Sequence, residues 1–218
     1  MCFSATASFG VAGVLAGMGA ATLIRNEVPA LRMFAAVPLV FAAQQVTEGA
    51  VWASLNSGRG SSPVAIVAFL SVALVVWPVW LPLSLRAAER EPRRRRVLTA
   101  LSLAGLLVGA LCAVLLARWP PAAHVNGHHI TYDFSVGIGE GTVIPIIGYV
   151  LPTMVPFFVS SVALARFMGA VLIVSLVATY VAQRSALTSV WCFFAAILSG
   201  LILVIVTREQ PAPQEKHP

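Results

Sequence analysis

The chain has 218 residues, of which 59% are hydrophobic and 10% charged, and its mean hydropathy is +0.89. A soluble domain carries about 25% charged residues, so this composition excludes an ordinary globular protein and points to a polytopic membrane protein, built as one bundle. The net charge of +6 comes from 13 Arg and one Lys, and six Arg crowd between Arg86 and Arg96; among apolar spans such a run is a cytoplasmic loop, not a nucleic-acid patch.

The opening, MCFSATASF, has neither a basic n-region nor a small-residue cleavage site, so no signal peptide is expected. The first apolar span covers about 6–24. Ser4 is placed to cap its helix, and Thr6 and Ser8 put small hydroxyls in its first turns. Gly10, Gly13, Gly17 and Gly19 continue what reads as a close-approach face. A nucleophilic role for Ser4 or Ser8 would need a base, which only Glu48 or the histidine loop can supply.

The second span, about 31–54, carries the most informative residue of the chain. Glu48 lies some six residues from its outer end, about 9 Å deep at 1.5 Å per residue. An ionisable group at that depth is costly and marks a functional site by default. Gln44 and Trp52 lie four residues to either side, so the three share a helix face, and Gln44 is placed to bond the carboxyl. The alternative is a polar clasp between helices.

Spans at about 63–85 and 97–117 flank the Arg run. Cys112 within the fourth is simple packing. The loop that follows, about 118–141, holds three of the four histidines in HVNGHH (124–129). Asn126-Gly127 is a hairpin signal, and with those two residues at the tip His124 opposes His129 while His128 points away. The pair is half of a metal site, for zinc or another transition metal, with Cys2, Cys192, Glu48 and Asp133 as further ligands in reach. A solvated hairpin explains the same residues without a metal. Cys2 and Cys192 would alternatively form a disulfide or never meet.

The fifth span, about 142–160, contains Pro145, Pro152 and Pro156. Pro145 fits a first turn, whereas the others free carbonyls inside a helix. Tyr149 and Thr153 either line a wet cavity there or belong to a bent packing helix. Spans six and seven fall at about 163–182 and 187–206, followed by a polar tail, 207–218, read as disordered and cytoplasmic.

The expected fold is therefore all-α: a bundle of seven transmembrane helices over residues 1–206, with a small extracytoplasmic β-hairpin. Putting the Arg run inside sets the N-terminus out and the C-terminus in. Glu48, the hairpin, Ser4, Ser8, Cys2 and Cys192 then gather at the outer face. MCFSATASF, FAAQQVTEGAVW, YVLPTMVPFFVSS and SVWCFFAA together resemble a family of small uncharacterised bacterial integral-membrane proteins that open with MCFSATASF. The resemblance implies a multi-span protein of the bacterial inner membrane and brings no established activity.

Three functions stay open on the residues alone. One is a membrane-embedded enzyme, with or without a metal, acting on a small or lipidic substrate, with Glu48 as acid or base. The second is a small-molecule or ion permease, and the third a structural or accessory subunit. Retinal chemistry is excluded, since no span contains a Lys.

Overall fold

The computed structural model describes residues 4–57, 60–127, 129–134, 143–182, 196 and 199–209. In chain order these form α1 (Ala5–Arg25), a short 3-10 turn (Pro29–Leu31), α2 (Arg32–Ala35), α3 (Val37–Asn56), α4 (Pro63–Leu70), a π-helical turn (Ser71–Val76) and α5 (Trp77–Ala88). Then follow α6 (Pro92–Arg118), the strands β1 (Ala122–Asn126) and β2 (His129–Asp133), α7 (Val143–Val159), α8 (Ala165–Ala182) and α9 (Leu201–Arg208).

Four helical stretches among the described residues are long and apolar enough to cross a membrane: Ala5–Arg25, Pro29–Asn56, Pro63–Ala88 and Pro92–Arg118. They correspond closely to the first four expected spans. The expectation of seven is met only to this extent. Gly148–Val159 and Ala165–Val181 are shorter apolar stretches, and most of the expected seventh span lies outside the described residues. The tail also begins later than expected, because α9 runs to Arg208 and a carboxylate oxygen of Glu209 accepts the Ala163 N–H.

The first contact is between α1 and α3. The buried residues of α1 are Ser8, Ala12, Leu15, Gly19 and Thr22, alternating steps of four and three that make a seam along one side of the helix. Gly19 lies against Leu39, and Gly49 against the Phe9 ring, so the two helices run antiparallel with Ser8 within a turn of Glu48. Of the expected glycine face only Gly19 makes a close approach. Gly10, Gly13 and Gly17 meet nothing within 4 Å among the described residues, because they fall off this seam. Thr6 is likewise exposed.

A second close packing involves the π-helical turn. In that register the donor to the Ala73 carbonyl would come from residue 78, which is Pro78 and has no N–H. The Tyr149 hydroxyl of α7 donates to the Ala73 carbonyl instead, at 2.6 Å. Gly105 of α6 lies directly against the Pro78 carbonyl, and Gly109 lies one turn on, where a Cβ would meet the Val75 carbonyl at 3.0 Å. Glycine is needed here so that α6 can come up against irregular backbone.

The hairpin forms, but one step away from the expected register. Asn126 pairs with His129, Val125 with Ile130, His124 with Thr131, Ala123 with Tyr132 and Ala122 with Asp133. Asn126 is thus a strand residue and not part of the loop, which Gly127 opens. Gly127, at φ +61, takes the first central position, where a tight hairpin turn needs positive φ. Its inner face, Ala123, Ile130 and Tyr132, packs on Val51 and Trp52 of α3 and Ile66, Phe69 and Leu70 of α4. The Phe69 and Tyr132 rings stack with centroids 5.3 Å apart.

Gly105 and Gly13 should respond oppositely to the same substitution. Gly105→Ala drives a methyl into the Pro78 carbonyl and is expected to cost about 1–3 kcal/mol. Gly13→Ala meets open space in a helix and is expected to be neutral or to gain up to about 1 kcal/mol. Thermal unfolding of both variants in detergent reads the difference; equal melting temperatures would refute the packing described.

Candidate functional site

The C-terminal half of α3 carries a run of polar side chains that the bundle encloses completely. Gln44, Gln45 and Glu48 have no exposed surface, and Trp52 is nearly as buried. Glu48 therefore faces the interior with Gln44 and Trp52 on the same side, as its helical spacing indicated. Its partner differs from the expected one. Gln45 Nε2 donates to Glu48 Oε2 at 3.2 Å, while Gln44 Oε1 accepts the indole N–H of Trp77 at 2.7 Å. Residues three apart meet as readily as residues four apart, and Gln44 is drawn to α5, where the Phe41 and Trp77 rings also pack, 4.1 Å between centroids.

On α1 and α3, within a turn or so of Glu48 along the helices, are buried polar atoms without hydrogen-bond partners among the described residues: Ser8 Oγ, Gln44 Nε2 and Trp52 Nε1. Leaving such a group dry costs roughly 1–3 kcal/mol. Ser4, by contrast, is fully used as the α1 cap, its Oγ accepting the Ala7 N–H at 3.2 Å.

Tyr149 and Thr153 do line a cavity, together with Phe41, Trp77, Met154 and Phe157. Of the two readings of this helix, the small apolar cavity fits bent packing and not a wet channel. Its volume is about 30 Å³ and its lining almost wholly apolar, because both hydroxyls turn to backbone. Thr153 Oγ1 donates to the Tyr149 carbonyl at 2.7 Å, and the Tyr149 hydroxyl is held by Ala73.

The expected histidine pair does not stand side by side. His124 opposes Thr131, and His129 opposes Asn126, so the two are diagonal neighbours on one face of the ribbon. His124 Nδ1 lies 2.9 Å from Asp133 Oδ2, with the two side chains 52% and 60% exposed. Among the described residues no group of three or more His, Cys, Asp or Glu is close enough to hold a metal. Cys2, Cys192 and His128 lie outside the described residues. The hairpin, the start of α1 at Ala5 and the ends of α3 and α4 do meet in one cluster at the Glu48 end of the bundle.

A sequence profile for DUF6629, a family of unknown function, matches residues 1–217. The chain belongs to that family. No curated protein and no solved structure matches it.

In this DUF6629 chain the opposite end of the bundle holds two carboxylates that sequence reading passed over. Glu89 Oε1 accepts the N–H groups of Arg90 and Glu91, each at 3.0 Å, and the Ser161 hydroxyl at 2.9 Å. Its Oε2 accepts the Ser161 N–H at 2.7 Å. Glu209 bonds two residues further along the same connector, at Ala163. Within the Arg run Glu89 reads as a minor counter-charge; nothing local signals a partner 72 residues away. Glu91 differs, capping α6 through the N–H groups of Arg93 and Arg94.

Burial opposes ionisation of Glu89, but the N–H groups of Glu91, Ser161 and Arg90 and the Ser161 hydroxyl outweigh it and hold the carboxyl below the ordinary glutamate value. A lowered folded pKa gives stability that is present above the unfolded value, about 4.3, and lost as pH falls through the folded one. Wild type is therefore expected to melt above Glu89→Gln at pH 6–7, with the gap closing as pH drops below about 4. A gap constant with pH would contradict this assignment.

Proposed function

We propose that the chain is a seven-span protein of the bacterial inner membrane, N-terminus outside and C-terminus inside, with a binding site for a small or lipidic molecule in its outer half. The Arg distribution supports the orientation. Of the eleven Arg among the described residues, ten belong to segments at the Glu89 end and Arg118 does not; an excess of Arg on cytoplasmic loops is the general rule.

The observation that carries the site is Glu48, enclosed between α1 and α3, with Ser8 Oγ, Gln44 Nε2 and Trp52 Nε1 buried and unbonded among the described residues. These are two donors and a hydroxyl beside a carboxyl, a set suited to a polar head entering an apolar surround. Glu48 is the group that would give or take a proton there. The hairpin packed on Trp52 forms the outer cover of the site. A clasp that merely joined helices would use its own donors, which favours the ligand reading.

Dicyclohexylcarbodiimide, an apolar reagent that adds to protonated carboxyls, probes the site from the membrane phase. Mass mapping of native membranes is expected to find the adduct on Glu48 and to lose it in Glu48→Gln. Ser8→Phe, which fills the site from α1, should suppress it in protein of unchanged elution volume. Glu48 reacting only after denaturation would identify a closed clasp and defeat the proposal.

A further inference from the structure

A second site stands at the opposite end of the bundle, independent of Glu48. There the 3-10 turn, the α5–α6 connection, the α7–α8 connection and the end of α9 enclose a pocket of about 420 Å³. That volume falls within the usual range for small ligands, about 300–1,000 Å³. Val28, Leu31, Ala88 and Val162 form its apolar walls, and Arg90, Glu209 and Ser161 its polar ones.

Arg90 and Glu209 carry opposite charges in the same pocket, yet they do not pair with each other. No ion pair joins Arg90 to Glu209. The Ser161 N–H and hydroxyl are both spent on Glu89, and Glu209 gives one oxygen to the Ala163 N–H. These bonds fix the pocket wall, and they keep Glu209 ordered at the end of α9. The same connector contains Leu164 at φ +58, a left-handed backbone that a bulky residue adopts only where its surroundings impose it.

Two unlike charges held apart across a polar and apolar pocket are complementary to a dipolar molecule. A guanidinium selects phosphate oxygens, with several donors in a planar fork. A carboxylate with one oxygen already bonded offers the other to an ammonium. The pocket opens where a helix bundle of this length meets the membrane surface, which is where lipid head groups lie. We infer that it binds a phosphoethanolamine-type zwitterion, with the phosphate on Arg90 and the ammonium on Glu209.

The test uses the full-length protein in a non-ionic detergent with three probes: short-chain phosphatidylethanolamine, phosphatidylglycerol of the same chain length, and free phosphoethanolamine. Saturable binding of the ethanolamine lipid is expected, about tenfold or more tighter than the glycerol lipid. Arg90→Ala should weaken both lipids. Glu209→Gln keeps an acceptor for the Ala163 N–H but loses the charge, so it should weaken the ethanolamine lipid, abolish its advantage over the glycerol lipid, and leave the latter no weaker. Free phosphoethanolamine binding as well as the lipid assigns a soluble ligand, and binding of the lipid alone assigns the membrane; either supports the site. Equal affinity of the two lipids for wild type, or unaltered ethanolamine-lipid binding by Glu209→Gln, or no binding of any probe, would overturn it.

Discussion

A helix that carries Gln44, Gln45 and Glu48 within about one turn cannot turn that side to hydrocarbon. Much of the architecture follows from that constraint. The polar side of α3 must be covered, and the cover on one flank is α1, whose seam of Ser8, Ala12, Leu15, Gly19 and Thr22 is small enough for close approach. On another flank the indole of Trp77 donates to Gln44 and its ring packs on Phe41. That bond ties α3 to α5 inside the apolar core. Burial is complete at Gln44, Gln45 and Glu48, while Ser8 Oγ, Gln44 Nε2 and Trp52 Nε1 have no hydrogen-bond partner among the described residues.

The same requirement, that backbone in an apolar surround must find its partners within the protein, explains the irregular middle of the chain. Pro78 leaves the Ala73 carbonyl without its π-register donor, and Tyr149 reaches across from α7 to supply one. Gly105 and Gly109 allow α6 to lie against the disturbed turn. Thr153 binds back onto the Tyr149 carbonyl within the proline-containing α7. Tyr149 and Thr153 thus serve to satisfy backbone, and the cavity they border is small and apolar. The two ends of the bundle are finished differently. At one end a hairpin packs through Tyr132 and Ile130; at the other Glu89 and Glu209 bind the α7–α8 connector.

Much of this was legible from residue order. Apolar runs bounded by RNEVPA, NSGRGSSP and the Arg cluster marked the first four long helical stretches to within about five residues, because span length in a membrane is set by hydrocarbon thickness. The Arg run read as a loop is in part helix, since Pro92 and the Glu91 cap start α6 ahead of Arg93–Arg96. Glu48 facing inward followed from the cost of the alternative. What failed was finer. Gln44 and Gln45 are equally able to reach a carboxyl on the next turn, and only the position of Trp77 decides between them. The hairpin was foreseen, but Asn-Gly fits either of two loop positions, and the choice rests on which register seats Tyr132 against Phe69. The role of Glu89 depends on Ser161, far along the chain, so it has no local signature. The glycines of α1 look alike in sequence, yet only Gly19 lies on the seam.

The central claim is that the polar side of α3 is enclosed by protein and not by lipid. Nitroxide labels placed singly at positions 43 to 53, in a cysteine-free chain in liposomes, measure this through collision rates with oxygen, which concentrates in hydrocarbon. The account requires high oxygen collision rates at Ala43, Val46 and Ala53, and low rates at Gln44, Gln45, Glu48 and Trp52, repeating with helical period. An oxygen collision rate at Glu48 equal to that at Val46 would contradict it.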